Sequence, residues 1–112
     1  TKAAVLAAKE NSNLPVFVTM TFEENKRTFT GCSVSAMCLT LEGLGVDAMG
    51  VNCSLGPKDL IPIVEEISKW TSLPIVVKAN AGLPDPVTNT YDVDADQFAS
   101  IYRECLNTVL EP

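Results

Sequence analysis

The 112-residue sequence contains no histidine, which removes the commonest general base near neutral pH and the commonest metal-ligating side chain. It has no long apolar run either. Nothing approaches the ~20 residues that a membrane-crossing helix needs, so no membrane association is expected. Positive charge is scarce: 8 Lys and Arg face 14 Asp and Glu, for a net charge of −6. The basic residues are scattered rather than gathered into the patch that nucleic-acid binding uses, which excludes that class of partner. The four cysteines, Cys32, Cys38, Cys53 and Cys105, form no Cys-x-x-Cys pair and no secreted disulfide framework. Cys38 and Cys105 fall within apolar helical patterns and read as buried free thiols, which implies a reducing, cytoplasmic compartment. Asn52-Cys53-Ser54 has the form of a glycosylation acceptor, but without a secretion signal the match is read as chance.

What is present is the composition of a soluble globular domain, 46% hydrophobic and 20% charged, at a length that suits one small core. The first ten residues, Thr1 to Glu10, are charged too early for a signal peptide and read as a helix already in progress, with Val5 and Leu6 on one side. The missing initiator Met and missing cap suggest an excerpt from a longer chain. A β-rich run near 16–22 follows Leu14-Pro15, and then a polar stretch from Glu23 to Gly31. Val34, Met37, Cys38, Leu41 and Leu44 next recur at helical spacing, closed by Gly45. A short apolar strand near 47–53 leads to Gly56-Pro57, with proline placed to start a helix whose stripe is Leu60, Ile61, Val64, Ile67 and Trp70. A third strand, near 75–79, ends in the turn Asn80-Ala81-Gly82-Leu83-Pro84. Asp94 and Gln97 form a capping-box-like start to a last helix striped by Phe98, Ile101, Tyr102, Cys105 and Val109.

The order α-β-α-β-α-β-α implies an α/β fold with parallel strands covered by helices. Either a small open sheet or a three-stranded arc of a (β/α)8 TIM barrel satisfies it, and a whole barrel takes about 250 residues. In both, ligands bind at the carboxyl ends of the strands, here Thr19 to Glu23, Asn52-Cys53-Ser54 and Asn80-Ala81-Gly82. Cys53 and Asn80 therefore share one end of the sheet. Cys53 sits where reactive groups belong, yet a lone cysteine without a histidine is also ordinary packing, and a metal site takes three or four ligands. Asn80 also suits a turn, and Ser54 and Gly56 suit a helix cap. Glu23 and Glu24 suit a solvated loop. Asp92, Asp94 and Asp96 alternate like a calcium loop but lack its glycine and terminal glutamate, so capping fits better. Cys32 reads as packing or chance.

Three stretches carry a further likeness. "KAAVLAAKENSNLPVFVTMTFEENKRTFTG", "LEGLGVDAMGVNCSLGP" and "KANAGLP" together resemble the homocysteine-binding domains of cobalamin-dependent methionine synthases, in order and over essentially the whole chain. The resemblance implies that residues 1–112 are one internal section of a homocysteine S-methyltransferase barrel. It implies a catalytic zinc held by three cysteines, the first matched by Cys53, with Asn80 beside the metal. The two other cysteines belong to a Gly-Gly-Cys-Cys-Gly motif that has no counterpart here, and the family's substrate-binding acid falls upstream of Thr1. Zinc would stabilise the thiolate of homocysteine for attack on a methyl group from methylcobalamin, with cobalamin-binding and folate-binding modules as partners in the same protein. The chain alone is then expected to be inactive. The alternative is a stand-alone half-barrel that binds or assembles without catalysis, and continuation of the reading frame into Gly-Gly-Cys-Cys-Gly would decide between them.

An arc leaves two raw strand edges and an uncovered inner face. The chain is accordingly expected to self-associate in size-exclusion chromatography with light scattering, and a tight monomer would count against the arc.

Overall fold

Seven elements alternate along the chain in the expected order: α1 (Lys2–Asn11), β1 (Phe17–Met20), α2 (Val34–Gly43), β2 (Ala48–Asn52), α3 (Pro57–Trp70), β3 (Ile75–Lys78) and α4 (Ala95–Leu110). The computed structural model describes residues 1–53 and 55–110, so the capping role considered for Ser54 lies outside the described residues. The strands form one open sheet in the order β1-β2-β3. Both pairings are parallel, with Thr19 opposite Gly50 and Gly50 opposite Val76.

Alternation along the strands divides the sheet into two faces. Val18, Met20, Met49, Val51, Ile75 and Val77 belong to the core, together with Val34, Met37 and Leu41 of α2 and Leu60, Ile63, Val64 and Ile67 of α3. The other face carries Phe17, Thr19, Ala48, Gly50, Asn52, Val76 and Lys78, and Phe17 there is 67% exposed. The radius of gyration, 15.1 Å, exceeds the roughly 13 Å of a closed domain of this length, as a one-sided sheet would produce. Gly50 is needed where the strands meet: a Cβ at that position would overlap the Val76 carbonyl and lie 2.7 Å from its carbon.

The helix signals act as read. Gly56 is the N-cap of α3 and Pro57 its first residue. The Asp94 carboxylate accepts from Gln97 N–H at 2.9 Å while the Gln97 side chain accepts from Asp94 N–H at 3.0 Å, which is a reciprocal box. Pro62, inside α3, removes one helical donor, but it lies on the exposed side, where water can serve the freed Lys58 carbonyl.

Three expectations need correction. Leu6 is 44% exposed, and α1 buries only Val5. Trp70 is 46% exposed because it ends α3, past the layer that buries Ile67. Each strand is shorter than its apolar run. β1 stops at Met20, and Phe22 leaves the ladder to become fully buried.

At the amino ends of the strands, Asp47 ties three elements together. Its carboxylate accepts from Val16 N–H at 2.7 Å and pairs with Lys9 Nζ at 3.0 Å. The Val16 bond first, and the Lys9 contact second, hold its pKa below the usual 3.8. A depressed carboxylate adds stability above its unfolded pKa and loses it as pH falls through the lower folded value. Thermal melts should therefore show wild-type stability declining below about pH 4, and Asp47→Asn should remove part of that slope while lowering the midpoint at pH 7.

Candidate functional site

At the opposite end of the sheet, hydrogen bonds stitch the three strand termini together. The Asn52 side-chain amide donates to Thr21 Oγ1 at 3.2 Å, joining the ends of β2 and β1. Cys53 N–H donates to the Lys78 carbonyl at 2.9 Å, joining β2 to β3. Leu55 N–H then donates to the Cys53 carbonyl at 2.8 Å, and Asn80 N–H to the Leu55 carbonyl at 3.2 Å. The structure thus brings Cys53 and Asn80 to one end of the sheet, linked through main chain.

Cys53 follows β2 directly and is exposed. Its φ of +57° is in the left-handed region, which costs a residue with a side chain on the order of 1 kcal/mol. That twist ends the ladder and turns the chain toward Gly56 and α3. Next to Gly56, Gly82 has φ +91°, a backbone angle that calls for glycine. An open cleft of about 400 Å³ lies at this end, lined by Glu24, Leu55, Gly56, Asp59, Gly82 and Asp92 among others.

The other candidates separate from Cys53. The Cys32 thiol donates to the Ser33 carbonyl at 3.5 Å and lines a cleft between α1 and α2 with Met20, Met37 and Leu41. Cys38 is fully buried, and burial, aided by the charges of Glu42 and Glu66, pushes its pKa up to about 11. Burial raises Cys105 likewise, with Glu65 and Glu104 adding to the shift. Both are inert packing thiols, as expected. Asp94 caps α4 and Asp96 sits in its first turn. Asp85 accepts from the main chain of Val87 and Thr88, both at 2.8 Å, and the Thr88 bond, then the Val87 bond, lower its pKa. Among the described residues no group of three His, Cys, Asp or Glu side chains can hold a metal ion. A zinc ion, which needs three or four donors, does not fit the residues present here.

The sequence reading missed Tyr102 as part of this end of the sheet. Its hydroxyl reaches the main chain of β3, and its place on an apolar helical stripe gave no sign of that.

The homocysteine S-methyltransferase family profile matches residues 1–110. The chain belongs to that family. It is 36% identical over 88 residues to "Methionine synthase" of Mycobacterium leprae (strain TN). It is 34% identical over 88 residues to "Methionine synthase" of Mycobacterium tuberculosis (strain ATCC 25618 / H37Rv). Each match covers 74% of this chain and 7% of the relative, so the chain spans a small part of the length of these methyltransferases. No helix among the described residues is long and apolar enough to cross a membrane.

The strain at Cys53 is testable by substitution. Cys53→Gly relieves the left-handed angle but adds unfolded-state entropy, so urea denaturation should place it within about 0.5 kcal/mol of wild type. Cys53→Val, β-branched at the same angle, should lose about 1–2 kcal/mol.

Proposed function

We propose that residues 1–112 are an internal section of a homocysteine S-methyltransferase barrel of the methionine synthase type, and that Cys53 contributes one ligand to its catalytic zinc with Asn80 beside it. The observation that carries this reading is the placement of Cys53 in a chain of this family, exposed at the carboxyl end of β2 and linked by main chain to Asn80. Three further features support the arc. The main hydrophobic cluster packs against one face of the sheet. Its strands run in sequential parallel order. An apolar cleft of about 240 Å³ lies along the outer edge of β3, lined by Val64, Ile75, Val77, Tyr102, Cys105 and Leu106, where further structure of a barrel would pack.

The chemistry named by the family is methylation of the homocysteine sulfur. A thiol with an ordinary pKa of about 8.5 is mostly protonated at neutral pH, and the thiolate is the nucleophile. The sequence has no histidine to take that proton, and the described residues do not assemble a metal site. On this reading deprotonation of substrate would depend on groups outside this chain, and the chain alone would be inactive. In the whole protein methylcobalamin, carried by a cobalamin-binding module, would supply the methyl group, with a folate-binding module as a further partner. Four free cysteines support a reducing, cytoplasmic setting. The open strand edges support self-association of the isolated chain.

Elemental analysis of the chain after dialysis against zinc should find far less than one ion per molecule. One tightly held zinc per chain would overturn the incomplete-site reading. In a longer protein that contains these residues, Cys53→Ser should leave the fold intact while zinc content and homocysteine methylation both fall. Retained zinc and activity would remove Cys53 from the ligand set.

A further inference from the structure

The two ladders of the sheet end at different levels. Pairing of β1 with β2 stops at Met20 opposite Val51, whereas pairing of β2 with β3 runs one step further, to Asn52 opposite Lys78. Asn52 thus has a paired residue on β3 and none on β1. Just beyond it, Cys53 N–H donates to the Lys78 carbonyl at 2.9 Å, again on the β3 side. On the β1 side, side chains close the gap. The Asn52 amide donates to Thr21 Oγ1, one residue past the end of β1, at 3.2 Å. Both residues sit at the ends of neighbouring strands within the chain, so the bond owes nothing to what lies beyond either outer edge of the sheet.

We propose that Asn52 is a positioning residue for the strand-end site, its side-chain amide extending the contact between β1 and β2 by one step and so holding Cys53 in its left-handed turn. Cys53 carries φ +57°, and a residue with a side chain stays in that region only where its surroundings hold it. Its own N–H is anchored to β3, and the residue before it is anchored to β1. With both anchors in place the end of β2 neither swings away from β1 nor relaxes toward an extended angle, and the exposed thiol keeps one direction. An amide suits this task because it donates to the Thr21 hydroxyl without a charge. An aspartate could accept from the same hydroxyl, but its charge beside Cys53 would oppose formation of the thiolate. The assignment rests on the reading of Cys53 as a site residue.

Removing either end of the bond, and then both, tests the assignment on the 112-residue chain, which contains every group named. Asn52→Leu and Thr21→Val keep the side-chain shapes and delete the hydrogen bond; Thr21→Ser keeps the hydroxyl. Two readouts report on Cys53 itself: exchange of its amide, and its intraresidue amide-to-Hα nuclear Overhauser effect, which is strong at a left-handed angle. Asn52→Leu should speed the exchange roughly three- to fivefold, as loss of one ordinary hydrogen bond implies, and weaken the Overhauser effect. Thr21→Val should do the same, the double variant should do no more than either alone, and Thr21→Ser should behave as wild type. Cys38, fully buried, and Cys105, 8% exposed, should stay unreactive toward iodoacetamide in every variant, since the core is untouched. Unchanged exchange and Overhauser effect in Asn52→Leu, additive effects in the double variant, or Cys38 and Cys105 becoming reactive as exchange quickens, each overturns the positioning role. So does an acceleration that vanishes in a longer protein containing these residues, read by mass spectrometry on the peptide spanning Cys53. No readout involves homocysteine or bound metal, so failure here and failure of the ligand assignment are distinguishable.

Discussion

Hydrogen bonding of β2 to a parallel strand on each side sets three strand ends at one level, and every contact at the candidate site depends on that alignment. The register opposes Val18 to Met49 and Met49 to Ile75, so the core side chains of all three strands lie in one row beneath α2 and α3. A shift of one residue in any strand would turn its apolar set to the other face. The same register brings Cys53 N–H opposite the Lys78 carbonyl. Core packing and site geometry are therefore one constraint, and Gly50 at the centre of β2 is where it is tightest, since even a methyl group would meet the backbone of Val76.

Features governed by local chemistry were legible in the sequence. Pro57 after Gly56 starts a helix because proline lacks a donor that the first turn cannot use. Asp94 and Gln97 cap α4 because their spacing lets each reach the other's amide. Cys38 and Cys105 are buried because their stripes face the core. Features set by tertiary context were not. Phe22 reads as a strand residue, but it leaves the ladder to fill the core. Leu6 and Trp70 fit their periodic patterns, yet they lie where no layer covers them. The left-handed angle at Cys53 follows from ending β2 while entering the turn to α3, and no residue preference for cysteine announces it. The target of the Tyr102 hydroxyl lies more than twenty residues away, beyond the reach of periodicity.

Family membership and donor chemistry together define what the chain can contribute. The chain belongs to the homocysteine S-methyltransferase family and places one exposed thiol, Cys53, at the carboxyl end of the sheet, the end where parallel α/β folds bind ligands. It keeps Cys38 and Cys105 under apolar cover and Cys32 in a different cleft. That separation has a chemical merit: thiols held protonated by burial do not compete for an ion or an oxidant with the one that stands in the open.

The two outer edges of the sheet also differ. On β3 the Tyr102 hydroxyl bonds the outward groups of Val77 and Ala79. On β1 the outward groups of Phe17 and Thr19 have no such cap among the described residues. The two edges therefore differ in the main-chain groups they leave open to hydrogen bonding.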